Sequence, residues 1–291
     1  MRTRHLVAAI AVCAATMGIT TPATSAAAPA CAAAWSSGQV YVGGNVASYN
    51  SHNWSAKWWT QNETPGRADV WADQGTCGGG TPPPTGGFVV TEAQFNAMFP
   101  GRNPFYTYSG LTTAMSAYPG FAKTGSDTVR RQEAAAFLAN VAHETGNLVY
   151  IVEQNTSNYP HYCDASQPYG CPAGQAAYYG RGPIQLSWNF NYKAAGDSLG
   201  IDLLHNPWLV EQDSSVAWKT GLWYWMTQNG PGTMTPHNAM VNGAGFGETI
   251  RSINGSLECN GRNPAQVQSR VNNYTRFVGV LGVPAGNNLS C

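Results

Sequence analysis

The sequence predicts an α+β chain in which a small antiparallel β module precedes a mainly α-helical domain. The two parts are divided by residues 78–87, Gly-Gly-Gly-Thr-Pro-Pro-Pro-Thr-Gly-Gly, which are typical of a linker. Before this linker, short β-branched and aromatic stretches alternate with Gly and Pro turns. After it, long segments rich in helix-forming residues follow one another, without the strand–helix alternation of a parallel sheet.

Residues 1–30 have the features of a secretory signal peptide. Two arginines precede an apolar run over residues 6–19, and an alanine-rich stretch follows it. We expect cleavage between Ala26 and Ala30 and an extracellular mature chain. The apolar run is too short to span a membrane, and no later segment offers about 18 uncharged apolar residues. Lipid attachment at Cys31 is the alternative, but the residues before it make a poor context for that modification.

The charge balance excludes several classes of partner. Acidic and basic residues number 15 each, so the chain has no formal net charge and nothing basic enough to indicate nucleic-acid binding. Charged residues make up only 10% of the chain, whereas Trp, Tyr, Gly and Asn are abundant. Such a composition suits neutral ligands such as sugars. We expect a monomer with no nucleic-acid or membrane partner.

The cysteines indicate a disulfide framework. Seven are present, and Cys13 lies in the signal peptide, which leaves six in a secreted chain. The sequence alone does not choose among the possible pairings. Proximity along the chain favours Cys31–Cys77, Cys163–Cys171 and Cys259–Cys291. No Cys-x-x-Cys spacing occurs, so we expect no zinc site.

The module at residues 31–77 is rich in tryptophan. It holds five of the ten tryptophans of the chain: Trp35, Trp54, Trp58, Trp59 and Trp71. So small a unit cannot bury five indoles, so we expect exposed rings, which usually mark a binding surface. If the segment that holds Trp58 and Trp59 is a strand, these two rings lie on opposite faces, one inside and one forming a platform. The alternative is that all the rings form a core or a dimer contact.

The helical domain, residues 88–291, shows start and stop signals for a series of helices. Thr91 is a plausible N-cap, and the best-defined helix begins after Ser126 and ends near Gly146. We expect long loops over residues 155–180 and 229–245 to shape a cleft. The predicted helices cover residues 93–98, 109–117, 127–144, 210–225, 247–254 and 264–281.

Two glutamates nine residues apart, Glu144 and Glu153, are the best candidates for chemistry. Two carboxylates in different environments are the minimal equipment for glycoside hydrolysis, one as acid and the other as base or nucleophile. Glu144 shares a helix face with Phe137 and Val141. The apolar face and the negative end of the helix both disfavour its anion, which favours a general acid. The alternative is a buried structural glutamate paired with an arginine.

Glu153 follows the apolar run 148–152, which is predicted to be a short strand or extended segment. The chain reverses after Gly146, which would let Glu153 face the first glutamate across a gap. Its polar neighbours Gln154 and Asn155 favour an ionised carboxylate. Taken alone, Glu153 would be an ordinary loop glutamate, and its interest comes from the pairing.

A third candidate element lies at residues 178–192. Within it, Gln185, Ser187, Asn189 and Asn191 fall in seven positions, interleaved with aromatic residues. Uncharged amides and hydroxyls form hydrogen bonds with the hydroxyl and acetamide groups of neutral sugars. The alternative is a polar turn between helices.

The N-terminal module resembles the carbohydrate-binding modules of family 5/12 type that are attached to bacterial chitinases. The resemblance rests on Ala-Lys-Trp-Trp-Thr at 56–60, Glu-Thr-Pro-Gly at 63–66, Val-Trp at 70–71 and Gly-Thr-Cys at 75–77. It implies attachment to crystalline chitin, with Trp58, Trp59 and Tyr49 as contact residues.

Residues 88–291 resemble the family 19 chitinases, in the compact form found in actinobacteria. The matching segments include Phe-Asn-Ala-Met-Phe-Pro, Phe-Tyr-Thr-Tyr, His-Glu-Thr-Gly, Tyr-Tyr-Gly-Arg-Gly-Pro-Ile-Gln-Leu and Ile-Asn-Gly. The resemblance implies a lysozyme-like fold, mainly helical with a deep cleft, and no metal or cofactor. It also implies an inverting mechanism, in which the two carboxylates stand roughly 6.5–9.5 Å apart to seat a water.

By this resemblance Glu144 is the general acid, Glu153 is the general base and Ser187 helps to hold the attacking water. Arg270 and Glu258 belong to the substrate site as a charged network beside the acid. The remaining substrate contacts implied are His143, Gln185, Asn191 and Asn254. Two departures from the family pattern are Asn147, where a second Gly is common, and Phe190, where Tyr is common.

The sequence thus predicts a secreted endo-chitinase that hydrolyses β-1,4-linked N-acetylglucosamine polymers with inversion. Two alternatives remain at this point. A peptidoglycan hydrolase would share the fold and a related sugar, but the chitin-type module argues against it. A non-catalytic chitin-binding protein is disfavoured because both glutamates are present.

Overall fold

The computed structural model describes residues 32, 35, 39–49, 52–77 and 87–291. The chain forms two compact units, divided between Pro82 and Pro83. The predicted signal peptide, Cys31 and linker residues 78–86 lie outside the described residues, and the exact domain limits stay predictions.

The described part of the N-terminal unit contains five short antiparallel strands. Strands β2 (Val46–Tyr49), β3 (His52–Ala56) and β5 (Trp71–Thr76) form one sheet in the order β2-β3-β5. Strands β1 (Val40–Tyr41) and β4 (Thr60–Gln61) form a second, two-stranded sheet. The core beneath them is small and consists of Tyr41, Ala47, Ala56, Val70 and Trp71. The predicted antiparallel β module is therefore confirmed.

Trp58 and Trp59 lie in the turn between β3 and β4. Both rings face solvent, with 56% and 60% of their surface exposed. The prediction that they lie on opposite faces of a strand is wrong, because this segment leaves the strand at Ala56 and does not alternate. Tyr49, the third predicted contact, is half-buried, with its ring edge-on to Trp35 at 5.7 Å.

The C-terminal unit is mainly helical, as predicted. Its α-helices are α1 (Glu92–Met98), α2 (Tyr108–Ala114), α3 (Asp127–Glu144), α4 (Asn189–Leu199), α5 (Leu209–Gln212), α6 (Ser214–Thr227), α7 (Pro236–Val241), α8 (Phe246–Glu258) and α9 (Pro264–Leu281). Two 3-10 helices, Met115–Ala117 and Thr156–Tyr162, complete the described elements. Within the described ranges, no helix is both long enough and apolar enough to cross a membrane.

Helix starts are fixed by side-chain caps. The Thr91 hydroxyl accepts from the Gln94 amide N–H, while the Gln94 side chain accepts from the Thr91 N–H, so α1 begins with a capping box. Ser126 accepts from the Val129 N–H and begins α3. Each cap satisfies a backbone donor that the helix itself leaves unpaired.

Several predicted elements differ from the structure. The single helix expected at residues 210–225 is two helices, because Asp213 ends α5 and caps the first turn of α6. Helix α4 was not predicted, and α7 lies inside the loop expected at 229–245. The short strand or extended segment expected at 148–152 does not form a strand: residues 148 and 149 belong to the turn, and Val152 forms an isolated bridge with Arg181.

Helix α3 is the centre of this unit. Residues 134–142 are buried on every side, so α3 is not amphipathic over this stretch. Alanines there let α9 pack closely, and Phe137 contacts Phe121, Trp218 and Trp225. The packing brings the C-terminal end of α3 alongside α9, which positions the first glutamate.

Two of the three predicted disulfides are confirmed. Cys163 is bonded to Cys171, and Cys259 is bonded to Cys291. Cys77 is also disulfide-bonded, but its predicted partner lies outside the described residues.

Candidate active site

A cavity of about 490 Å³ opens where the end of α3 meets α8 and the loops that follow α3. Both predicted carboxylates, Glu144 and Glu153, line it. Three further predicted residues line the same cavity: Gln185, Ser187 and Asn254. The remaining lining residues are Tyr150, Val152, Gln154, Tyr162, Gly180, Ile184, Trp188, Ile253 and Leu257.

Glu144 is held by a buried arginine. The Arg270 Nη2 atom donates to Glu144 Oε1 at 2.5 Å and to Glu258 Oε1 at 2.7 Å, while Arg270 Nε donates to Glu258 Oε2 at 2.8 Å. Arg270 and Glu258 are buried, whereas 19% of the Glu144 side chain is exposed toward the cavity. The predicted charged network beside Glu144 is therefore present.

The network has one positive and two potentially negative groups. Burial alone would raise the pKa of Glu258, but the hydrogen bonds and charge of Arg270, with a hydrogen bond from Asn254, together lower it. Glu258 therefore stays ionised and neutralises Arg270. Glu144 therefore shares the Nη2 atom of Arg270 with a second, ionised carboxylate.

The chain reverses after α3 through an unusual turn. Gly146, Asn147 and Leu148 all have positive φ angles, of 60°, 65° and 63°. The Thr145 hydroxyl donates to the Val141 carbonyl at 2.7 Å and accepts from the Leu148 N–H at 2.7 Å. The departure at position 147 is accommodated, because asparagine tolerates the left-handed region better than most residues. This tight reversal returns the chain to the cavity.

Glu153 stands in a different environment from Glu144. Its Oε1 accepts hydrogen bonds from Asn158 Nδ2 at 2.7 Å and from the Tyr162 hydroxyl at 2.9 Å. The Gly180 N–H approaches Oε2 at 3.4 Å, and the Glu153 N–H donates to the Gly180 carbonyl at 2.8 Å. The Glu153 carboxylate therefore contacts neutral donors, whereas the Glu144 carboxylate contacts a cation.

The neutral polar residues are also anchored. Gln185, at a φ of 51°, lines the cavity and donates through Nε2 to the Gly182 and Ile151 carbonyls at 3.0 and 3.3 Å. Asn254 sits at a kink in α8 and donates to Glu258 Oε1 at 2.7 Å. No other residue in the described part of the chain forms a hydrogen bond with the Ser187 hydroxyl. Ser187 is thus available to a water or a sugar.

Comparison with known proteins identifies the family. The family model described as chitinase class I matches residues 89–291. The chain belongs to the family 19 chitinases. A second model, carbohydrate-binding module family 5/12, matches residues 34–72.

Solved structures and curated relatives agree with this assignment. Chitinase C from Streptomyces griseus is 73% identical with a TM-score of 0.69, and the match covers 90% of this chain and all of that one. A bacterial family 19 chitinase is 80% identical with a TM-score of 0.69, over 70% of this chain and all of that one. Endochitinase A from Zea mays is 48% identical over 211 residues, or 70% of this chain and 71% of the relative. The predicted compact bacterial type and lysozyme-like helical fold are confirmed.

Four residues predicted to bind substrate do not line the cavity. His143 forms hydrogen bonds through both ring nitrogens with Ser269 and Gln266 of α9, at 3.0 and 2.9 Å. Burial, with the positive charge of Arg270, lowers the pKa of His143, so this ring is a neutral brace between α3 and α9. Asn191 donates to the Ser187 carbonyl at 2.9 Å and so supports the backbone of Ser187, which lines the cavity. The other two, Arg270 and Glu258, lie behind Glu144.

Other cavity residues were not identified from the sequence. Trp188 is 36% exposed, has a φ of 76° and stacks on Phe190 with ring centres 5.5 Å apart. Tyr150 and Leu257 are also exposed apolar residues of the cavity wall. The interleaved aromatics at 178–192 were a general signal, but the sequence did not show which ring faces the cavity.

Proposed function

We propose that this chain is a secreted endo-chitinase that hydrolyses β-1,4 bonds between N-acetylglucosamine units with inversion at the anomeric carbon. One observation carries the proposal. A single cavity holds two carboxylates in opposed environments, one coupled to a buried ion pair and one held by neutral donors. Such a pair separates the roles of acid and base.

In the proposed reaction, Glu144 donates its proton to the glycosidic oxygen as the bond between that oxygen and the anomeric carbon breaks. Glu153 takes a proton from water, whose oxygen forms the new bond to the same carbon from the opposite face. Arg270 is already within 2.5 Å of Glu144 Oε1, so it stabilises the carboxylate that results. Proton exchange with solvent restores both groups.

Neutral groups around the carboxylates fit a neutral sugar. We propose that the Ser187 hydroxyl helps to hold the water, and that Gln185 and Asn254 bind the hydroxyl or acetamide groups. The cavity lining contains two glutamates and no Lys, Arg or His among the described residues. An anionic glycan would gain no cationic contact there, which favours chitin over the lactyl-bearing glycan of peptidoglycan.

The N-terminal module is proposed to hold the enzyme on insoluble chitin. Its adjacent exposed indoles, Trp58 and Trp59, can pack on the apolar faces of sugar rings. Attachment raises the effective concentration of the catalytic domain at the polymer. Deleting residues 31–77 should lower activity on crystalline chitin and spare chitohexaose. Equal losses on both substrates would reject this role.

Secretion and oligomeric state complete the proposal. The signal-like residues 1–30 and the disulfides support export, and N-terminal sequencing of the extracellular protein should begin between Ala27 and Cys31. A mature chain that retains residues 1–26 would contradict this. We expect a monomer by light scattering.

The catalytic assignment is tested with Glu144→Gln and Glu153→Gln. Each change should lower kcat on chitohexaose by about 10²- to 10⁴-fold, the range typical of an acid or base group. Glu248→Gln is the matched control, because Glu248 lies on α8, away from the cavity lining, paired with Arg251 at 3.1 Å. Near-normal turnover by either cavity variant would remove that glutamate from its role. Bacterial cell walls, assayed in parallel, should be poor substrates.

A further inference from the structure

Tyr162 connects three parts of the cavity. It ends the 3-10 helix Thr156–Tyr162, and its hydroxyl donates to Glu153 Oε1 at 2.9 Å. Its ring lines the cavity and stands edge-on to Trp188, with centres 5.6 Å apart and planes at 87°. The next residue, Cys163, is tied to Cys171, which fixes the end of this segment.

We propose that Tyr162 is a positioning residue for Glu153, whose carboxylate it orients in the cavity through the hydrogen bond from its hydroxyl. The proposal rests on the role of Glu153 as the base. Asn158 donates to the same oxygen at 2.7 Å, so the 3-10 helix supplies both side-chain donors to Oε1. A carboxylate that accepts two such bonds is restrained in direction as well as in charge.

The tyrosine hydroxyl remains a donor under working conditions. Burial, together with the hydrogen bond to Glu153 and the charge of Glu153, raises the pKa of Tyr162 to about 12. The phenol therefore keeps its proton throughout the neutral range. It cannot itself act as the base, and its effect is exerted through Glu153.

The charged groups beside the Glu153 segment pair with each other. Arg181 lies beneath the Tyr179 ring at 3.5 Å and pairs with Glu211 at 3.3 Å, so this neighbouring pair carries no net charge. Tyr159 stacks on Tyr179 with ring centres 3.7 Å apart.

Two other titratable groups face Glu153. The Tyr159 hydroxyl donates to its backbone carbonyl at 2.9 Å and makes no bond to its carboxylate. Glu144 lines the same cavity and is neutral when it carries the acid proton. No cation pairs directly with Glu153 among the described residues, so loss of a hydrogen bond to its carboxylate should be visible in titration.

The test compares Tyr162→Phe with Tyr159→Phe. Both remove one hydroxyl and keep the ring, but only the first removes a donor to the carboxylate. Without that donor the Glu153 carboxylate takes a proton more readily, so its active, ionised form is lost at a higher pH. The acid limb of kcat/KM on chitohexaose should therefore move up by about 0.5 to 1 pH unit in Tyr162→Phe.

Tyr159→Phe should keep the acid limb at the wild-type position, even if its kcat falls. Asn158→Ala, which removes the second donor to Oε1, should move the limb in the same direction as Tyr162→Phe. Coincident profiles for Tyr162→Phe and wild type would overturn the proposal, as would equal shifts in both tyrosine variants. If Glu153 is not the base, Glu153→Gln will retain turnover, and this result distinguishes a wrong base assignment from a wrong role for Tyr162.

Discussion

The ion-pair network behind Glu144 predicts that Glu258→Gln shifts the alkaline limb of activity. Glu258 and Glu144 share the Nη2 atom of Arg270, at 2.7 and 2.5 Å. In the wild type, ionised Glu258 neutralises the arginine and repels a second negative charge on Glu144. A glutamine at position 258 removes that repulsion and leaves the cation to Glu144 alone. The anion of the proposed acid is then favoured, and its proton is lost at a lower pH.

The size of the shift follows from the geometry. Two oxygens that both contact one nitrogen at 2.5 and 2.7 Å lie at most about 5 Å apart. At that distance, unit charges in a medium of effective dielectric constant near 20 repel by about 3 kcal/mol, which corresponds to roughly 2 pH units. Relaxation of the amide lowers this figure, so we expect the alkaline limb to move down by about 1 to 2 pH units.

The assay is a pH profile of kcat/KM on chitohexaose, with circular dichroism to confirm folding at each pH. Glu248→Gln makes the same chemical change on the same helix, at the partly exposed pair with Arg251. Its profile should match that of the wild type. If the alkaline limb of folded Glu258→Gln also stays in place, the charge of Glu258 does not control the proton of Glu144.

Three further outcomes are expected. Thr145→Val should lower the free energy of unfolding by about 1 to 3 kcal/mol in urea titrations, because the Leu148 N–H is left buried without its acceptor, whereas a similar loss in Thr145→Ser would contradict this. The double change Trp58→Ala and Trp59→Ala should reduce retention on chitin beads without changing the rate on chitohexaose. Unchanged retention would contradict the proposal that these two rings bind chitin. The lowered pKa of Glu258 implies stability that is complete above its ordinary value of 4.5 and lost as the pH falls below it. The difference in unfolding free energy between wild type and Glu258→Gln should therefore shrink on acidification, and a constant difference would count against the ion pair.

Parts of the fold governed by local chemistry were predictable. Helices α3 and α9 match their predicted bounds because good helix formers follow capping residues, Ser126 and Asn263. The helix predicted to stop at residue 254 in fact continues to Glu258, but it kinks at Asn254, where φ is −146°. Local propensity therefore located the irregularity and missed the continuation.

Other parts depend on contacts between distant segments. Helix α4 begins after Trp188, which has a positive φ and provides no side-chain cap, so no start signal exists in the sequence. The sequence left open whether Trp58 and Trp59 lie in a strand, because aromatic residues favour strands and only the strand pairing shows that these two follow the end of β3.

In the functional site, too, some features follow from the local sequence and others depend on contacts between distant segments. The nine-residue spacing made Glu144 and Glu153 candidates, because few acidic residues compete and the helix end is clear, and both line the cavity. The hydrogen bond from Tyr162 could not be foreseen, since it requires the chain to fold back through three consecutive left-handed residues. Local reasoning about Glu144 considered its apolar face and helix end, whereas the charge of Arg270 beside it was implied only by the family resemblance, because long-range packing brings the two together.

The most direct test of the central claim is the stereochemistry of the first product. Proton NMR of a chitohexaose digest, recorded before mutarotation, reads the anomer of the new reducing end. An excess of the α-anomer is predicted, because Glu153 would direct water to the face opposite the leaving group. An excess of the β-anomer would mean retention, and the division of roles between Glu144 and Glu153 would be wrong.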